Sequence, residues 1–233
     1  MSDVLDELQS RIGYRFRDRT HLEVAFTHTS YIPENPKLQS NQRLEFLGDA
    51  VLQLILTQAL FELYPNEREG VLSKRRAALT KGSFLVELAR DLKLDVCLRV
   101  GTSEEAMGGR QRASALEDAF EALVGALYLD SDFLQTSAVV LKLYGNVPER
   151  LAATESEENP KGRLQEIVQP QHGNHALRYE VAGIEGEDHA RAYEVQVFLL
   201  DRPLGRGRGP PKKIAEEAAA RTALETLKAG MAR

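Results

Sequence analysis

The spacing of hydrophobic and polar residues differs between the two parts of the chain. In the first 150 residues, apolar side chains recur three and four positions apart, as at Leu44, Leu47, Val51, Leu54 and Ile55, which is typical of an amphipathic helix. Similar patterns predict helices over residues 70–79, 83–92, 113–129 and 136–144. Windows that alternate with period two are few here. We therefore expect an all-α bundle in this part.

From residue 160 the pattern changes to a mixture of helix and strand. Residues 162–168 predict a short helix, and residues 177–181 and 193–198 alternate between apolar and polar positions, as strands do. Glycines within residues 183–186 predict the turn between these strands. A third strand is expected near Leu204, and an alanine-rich helix from Lys212 to about Lys228 follows two prolines. The predicted order is α-β-β-β-α.

Residues 153–159 separate the two patterns. Their sequence, Ala-Thr-Glu-Ser-Glu-Glu-Asn, has almost nothing to bury, so we expect a solvated linker. The sequence thus predicts a helical domain over residues 1–152, a linker over 153–159 and a small α+β domain over 160–230.

Composition excludes several classes of protein. Of 233 residues, 42% are hydrophobic and 28% charged, which is typical of a globular protein and not of a disordered chain. The longest apolar run, residues 122–129, is far shorter than the roughly 18 residues of a membrane span, so we expect no membrane attachment. Cys97 is the only cysteine, which rules out an intramolecular disulfide and a cysteine-based zinc site. Without a visible secretory signal, a cytoplasmic location is expected.

Charge is distributed unevenly along the chain. The formal net charge is −5, which by itself argues against a nucleic-acid partner. However, residues 202–213 hold five basic residues and no acidic one. An acidic first part and a locally basic second part are typical of two domains with different roles.

Acidic residues form pairs on two of the predicted helices. Glu45 and Asp49 are four positions apart and Asp118 and Glu121 are three apart, so each pair shares one helix face. Apolar residues flank both pairs, and four neighbouring carboxylates in such surroundings are costly unless a cation neutralises them. Oxygen ligands on rigid helices suit Mg²⁺. From the residues alone, a metal site and ordinary solvated helix faces are about equally supported.

A redox metal centre is a further interpretation of acids on facing helices. Di-iron bundles use Glu-x-x-His pairs, and the sequence contains none. An all-oxygen set of ligands favours Mg²⁺ or Mn²⁺ and phosphate chemistry.

The segments that carry these acids resemble known motifs. Residues 41–49, Asn-Gln-Arg-Leu-Glu-Phe-Leu-Gly-Asp, resemble the nine-residue signature of the ribonuclease III family, and residues 116–125 resemble its second catalytic segment. Residues 160–166 and 212–216 resemble the two ends of a double-stranded-RNA-binding domain. The resemblance covers nearly the whole chain in the order of the short bacterial form.

This resemblance implies an activity and a set of site residues. Members are Mg²⁺-dependent homodimers that cut both strands of duplex RNA, leaving 5′-phosphate and 3′-hydroxyl ends with short 3′ overhangs, as in rRNA and mRNA processing. Mn²⁺ is expected to substitute for Mg²⁺, and no organic cofactor is expected. Glu45, Asp118 and Glu121 match the family's metal ligands. Asp49 and Glu121 are the expected catalytic residues. A binding protein that has lost catalysis is the alternative, but all four acids are present.

The resemblance also implies five RNA-binding residues. Gln165 and Glu166 match positions that reach the minor groove, and His189 lies in a matching loop that enters the next one. Lys212 and Lys213 match the paired lysines that bridge phosphates across the major groove. Such contacts recognise the shape of A-form RNA, whose major groove is too deep and narrow for side chains to read.

Two positions depart from the family pattern. Many members have glutamate where this chain has Gln42, and serine where it has Pro211. Gln42 removes one charge near the RNA but leaves the four acids, so we expect cleavage to survive. Glu69 falls where members often have a further acid near the RNA.

A basic cluster, Lys74-Arg75-Arg76 with Lys81, lies on a predicted helix. It is either an ordinary solvated face or a set of phosphate contacts beside the acidic site.

Overall fold

The chain is described as a computed structural model over residues 2–173, 175–186 and 191–231. Contacts divide it into two compact units, the first ending at Val147 and the second beginning at Pro148. Each unit buries its own set of apolar side chains. The division falls earlier than residue 152, where the sequence predicts the first domain to end.

The first unit is helical, as predicted. Its helices are α1 Ser2–Ile12, α2 Arg19–Ala25, α3 Gln42–Leu63, α4 Glu69–Leu79, α5 Gly82–Asp91, α6 Thr102–Ala106, α7 Ala113–Asp130 and α8 Phe133–Tyr144, and α9 Val147–Glu158 begins at the boundary. Helix α7 packs against α2, α3, α5 and α8. It is therefore the element around which the bundle forms.

Helix α3 combines great length with a mostly apolar composition. By those two properties alone it is the one helix in the described residues that could cross a membrane. Its Leu52, Ile55, Leu56 and Leu60 are buried in the bundle, and it also carries Glu45 and Asp49. These features are those of a core helix of a helical bundle.

A buried carboxylate at the end of α7 holds the loop that precedes α2. Asp130 accepts hydrogen bonds from the Tyr14 hydroxyl at 2.7 Å and from the main-chain N–H groups of Arg17 and Asp18 at 2.8 Å each. Burial acts to raise the pKa of Asp130, but these hydrogen bonds outweigh it and lower the pKa. The carboxylate therefore stays ionised and fixes the loop.

The second unit has the α-β-β-β-α order predicted from the sequence. Its elements after α9 are α10 Pro160–His172, β1 Leu177–Glu185, β2 Ala192–Leu199, β3 Arg202–Gly209 and α11 Lys212–Met231. The strands form an antiparallel sheet in the order β1-β2-β3. Alternate glycines of β3 allow α11 to pack directly on the sheet, since a methyl group at Gly205 or Gly207 would overlap the main chain of α11.

The local structure differs from what the sequence indicates in two places. Residues 153–158 continue α9, because alanine and glutamate favour helix even where little can be buried. The glycine-containing segment from residue 183 was predicted as a turn, but β1 continues to Glu185. Gly183 pairs with Glu194 on β2, and the register shift between Val181 and Gly183 makes a bulge at Ala182.

Candidate active site and RNA-binding surface

Helices α3 and α7 cross with their main chains in contact. A methyl group at Gly48 would overlap the main-chain carbonyl of Glu121, and one at Gly125 would overlap the carbonyl of Leu44. Only glycine at these two positions allows so close an approach. Glu45 and Asp49 follow Leu44 and Gly48 directly, so the crossing brings the two predicted acid pairs to one place.

Half-buried carboxylates from both helices surround this crossing in the described part of the chain: Glu45, Asp49, Glu117, Asp118 and Glu121. Burial, and then the charges of the other four carboxylates, raise the pKa of Glu121 to about 8. The pKa of Glu45 is raised by burial and by the charges of Asp118, Glu117 and Asp49. These groups therefore repel one another strongly when ionised.

Two of the predicted site residues have neighbours that orient the side chain or affect its pKa. Gln53, one turn along α3, donates its side-chain N–H to Asp49 at 2.9 Å. Burial raises the pKa of Asp118, and the charge of His28 acts in the opposite direction. His28 itself is held by Ser30, whose hydroxyl lies 2.8 Å from Nδ1.

Glu117 also belongs to this group of acids, although the sequence pattern indicated only Glu45, Asp49, Asp118 and Glu121. Burial and the charge of Asp118 raise the pKa of Glu117. Its carboxylate lies against Gly82 at the start of α5, where a methyl group would overlap it. The start of α5 therefore lies beside the acidic group. The only sequence feature that could have indicated Glu117 is its position directly before Asp118.

The set of donors fits a hard divalent cation. All are carboxylate oxygens, and burial together with their mutual repulsion raises the pKa values of Glu45 and Glu121. However, within residues 2–173, 175–186 and 191–231 no three Asp, Glu, His or Cys side chains are grouped closely enough to hold a metal ion. An ion would therefore have to draw these side chains closer together. The assignment of Glu45, Asp118 and Glu121 as metal ligands stays a prediction.

The basic cluster on α4 divides into structural and exposed residues. Arg75 stacks on the Tyr64 ring, 4.1 Å from its centroid, and pairs with Glu67 at 3.4 Å. Arg76 donates to the hydroxyl of Thr57 at 3.0 Å. Lys74 is exposed. Two of the three adjacent basic residues therefore help to hold α4 in place.

The predicted RNA-binding residues lie on two elements of the second unit. Gln165 and Glu166 are exposed on α10, and Lys212 and Lys213 are exposed in the first turn of α11. Glu166 pairs with Arg163 at 3.2 Å. His189 lies outside the described residues. The four described residues therefore remain available to a ligand.

Apolar side chains on one face of α3 are exposed in the first unit. Phe46 is 82% exposed, Leu54 55% and Phe61 69%. Their spacing of eight and seven residues puts them on one helix face. Phe120, by contrast, is fully buried. Phe46 therefore belongs to the surface and Phe120 to the core.

These features define a class of protein: a helical unit with an acidic nuclease-type site, joined to a small α+β unit with an exposed lysine pair. The family model described as Ribonuclease-III-like matches residues 18–146, and the double-stranded RNA binding motif matches residues 160–227. The chain belongs to the ribonuclease III family. It is an endoribonuclease specific for double-stranded RNA, and this family is generally metal-dependent.

Similarity to individual proteins extends over nearly the whole chain. Ribonuclease 3 of Pseudomonas putida (strain W619) is 43% identical over 229 residues, which cover 97% of each protein. Ribonuclease 3 of Nitratidesulfovibrio vulgaris is 40% identical over 225 residues, covering 96% of this chain and 88% of the relative. A solved nuclease domain of Ribonuclase III from Campylobacter jejuni is 37% identical, with a TM-score of 0.57. That match covers 60% of this chain and 94% of the solved one.

Proposed function

We propose that this chain hydrolyses duplex RNA with Mg²⁺ held by Glu45, Asp118 and Glu121, and that Mn²⁺ can substitute. The products carry 5′-phosphate and 3′-hydroxyl ends with short 3′ overhangs. The observation that carries the proposal is the close crossing of α3 and α7, since the half-buried carboxylates of both helices are near enough for their charges to add to the effect of burial on the pKa of Glu121. When bound, Mg²⁺ would lower the pKa of water and neutralise negative charge on phosphate oxygens.

The protein's contribution is to place charges and to move a proton. Glu45, Asp118 and Glu121 provide the oxygen ligands from two helices whose separation is set by Gly48. Asp49 is oriented by its hydrogen bond from Gln53, and it accepts a proton from the attacking water. Glu121 acts both as ligand and as catalytic residue.

RNA binding by the second unit rests on exposed side chains at two helices. Lys212 and Lys213 at the start of α11 contact phosphates, where the helix N-terminus also attracts anions. Gln165 and Glu166 on α10 reach the minor groove. Recognition of this kind depends on duplex shape and not on sequence.

A second copy of the chain covers the exposed apolar face of α3. Phe46, Leu54 and Phe61 are large apolar side chains that are only partly buried in one chain, and burying the rest of each one stabilises an assembly by at most roughly 1.5–3 kcal/mol. The Campylobacter jejuni nuclease domain has been described with a region involved in dimer formation. The homodimer places two acidic sites on one RNA.

We place this activity in the cytoplasm, in the processing of rRNA and mRNA precursors. Cys97 is buried, and burial raises its pKa to about 11, so the thiol is kept protonated and unreactive. A single inert thiol is consistent with a reducing compartment.

The decisive experiment is incubation with a long perfect RNA duplex, with and without Mg²⁺, followed by analysis of product ends. Wild-type protein should cut only with Mg²⁺ and leave 5′-phosphates. Glu121→Gln keeps the shape of the side chain but loses its charge, so it should bind duplex RNA and cut it at least about 100-fold more slowly. Glu62→Gln is the matched control on α3, because Glu62 is exposed and bonds to Gln58.

Two outcomes would reject the proposal. Wild-type cleavage rates in Glu121→Gln at saturating Mg²⁺ would remove Glu121 from the site. Duplex binding without cleavage by the wild-type protein would favour the alternative of a double-stranded-RNA-binding protein with little catalysis.

A further inference from the structure

One carboxylate at the start of α11 joins two helices of the second unit. The side chain of Glu216 is only 17% exposed, and its oxygens lie 2.5 Å from Nζ of Lys161 and 3.8 Å from Nζ of Lys212. Lys161 comes from α10, whereas Lys212 begins α11. Glu216 can therefore pair with a lysine from α10 or with a lysine from its own helix.

The two lysines are held differently. Lys161 makes the shorter ion pair, and its Nζ also lies 4.8 Å from the ring centroid of Tyr179 on β1. Burial, and then the charge of Glu216, raise the pKa of Tyr179 to about 12, so this phenol is neutral near pH 7. Lys212 makes the longer ion pair and is 56% exposed. Glu216 is thus neutralised mainly by Lys161.

We propose that Lys161 is a positioning residue for RNA binding, which occupies Glu216 and so leaves the ammonium group of Lys212 available to RNA phosphates. The inference rests on the proposed phosphate contact of Lys212. Lys212, one helical turn from Glu216, is the other lysine that pairs with this carboxylate among the described residues, so it becomes the partner of Glu216 when Lys161 is removed. A lysine that is paired within its own helix contributes less to phosphate binding.

The test is a double-mutant cycle on the full chain. Affinity is measured in EDTA for a duplex of about 20 base pairs, longer than the roughly 16 that such a domain spans. Lys161→Met should weaken binding about three- to fivefold in the wild-type background, in line with a partly exposed ion pair. In the Glu216→Gln background the same change should have no effect, because no carboxylate remains to capture Lys212. Glu216→Gln alone should not weaken binding.

This cycle distinguishes the proposed positioning role of Lys161 from two other roles. If Lys161 contacted phosphate directly, Lys161→Met would weaken binding equally in both backgrounds and reduce the salt dependence in both. If the Lys161–Glu216 pair only held α10 to α11, Glu216→Gln alone would weaken binding as much as Lys161→Met. Either result overturns the proposal, as does unchanged affinity in Lys161→Met.

Three controls complete the experiment. Lys161→Arg keeps the positive charge and should bind RNA as the wild type does. Lys228→Met removes an exposed lysine near the other end of α11, about 24 Å from Lys212, and should change little. Lys212→Ala tests the proposed function itself. Unchanged affinity in Lys212→Ala rejects the phosphate contact. If Lys212→Ala loses affinity but the double-mutant cycle does not give the expected result, only the positioning role of Lys161 is rejected.

Discussion

The main-chain carbonyl of Glu121 on α7 lies directly against the Cα atom of Gly48 on α3, with no room for a side chain between them. This contact sets the distance between the two helices that carry the acidic residues. A substitution at this contact should therefore change both the stability of the first unit and the geometry of its acidic site.

Replacing Gly48 with alanine should separate α3 from α7 and lower both stability and cleavage. Overpacking of this kind costs about 1–3 kcal/mol, and the midpoint of thermal unfolding should fall by roughly 3–10 °C. Calorimetry and Mg²⁺-dependent cleavage of duplex RNA measure the two effects. Gly70→Ala is the control, since a methyl group at Gly70 on α4 meets nothing and should stabilise the helix slightly. Wild-type stability in Gly48→Ala would show that the crossing is looser than described.

The metal-free protein should become less stable as pH rises from about 5 to about 9. Burial and neighbouring carboxylates raise the pKa of Glu121 to about 8, so the folded chain holds this proton more tightly than the unfolded chain. This stabilisation is complete below the unfolded pKa and is lost as Glu121 ionises. After allowance for solvent screening it is on the order of 1 kcal/mol. Urea unfolding in EDTA at several pH values measures it.

Glu117→Gln is the variant that tests the origin of this pH dependence. It removes one of the charges that raise the pKa values of Glu121 and Glu45, so the loss of stability with pH should become smaller. Glu62→Gln, at an exposed position of α3, should keep the wild-type profile. A Glu117→Gln profile identical to that of the wild type would exclude Glu117 from the acidic group.

Asp130→Asn should destabilise the first unit by about 1–3 kcal/mol, because an amide can accept with only one oxygen and leaves a buried donor without its partner. The stabilisation from Asp130 should be present above the ordinary pKa of aspartate and lost as pH falls through the lowered folded value. Urea unfolding at neutral and acidic pH measures both. Asp132→Asn is the control, since asparagine caps α8 about as well as aspartate. Equal stability of the two variants would contradict this role.

Leu200→Asn should stabilise the β2–β3 hairpin. Leu200 and Asp201 form its two-residue turn with φ values of 47° and 63°, and leucine tolerates the left-handed region poorly. A gain of about 1 kcal/mol should slow amide hydrogen exchange in β2 about fivefold. Leu200→Ala keeps the unfavourable backbone geometry and should show no such slowing. If alanine slowed exchange as much as asparagine, side-chain exposure and not φ would be the cause.

Prediction from the sequence succeeded where the signal is local. Apolar periodicity located the main helices, because a helix with one buried face must repeat its apolar residues every three or four positions. It did not indicate that α9 continues through residues 153–158, because a polar composition fits a helix as well as an irregular linker. It also passed over Glu117, since the contact with Gly82 on α5 joins residues far apart in the chain.

The sequence alone determined the family, the order of the two units and the residue types available for chemistry, because motifs and periodicity are properties of neighbouring residues. Only the tertiary structure decided which similar residues serve which purpose. Phe46 and Phe120 both lie in apolar helical segments, yet one is exposed and the other is core. Lys161 and Lys212 both reach Glu216, yet one holds it closely while the other stays largely exposed. Burial and charge pairing depend on which helices pack together, and that is fixed by the packing of the whole unit.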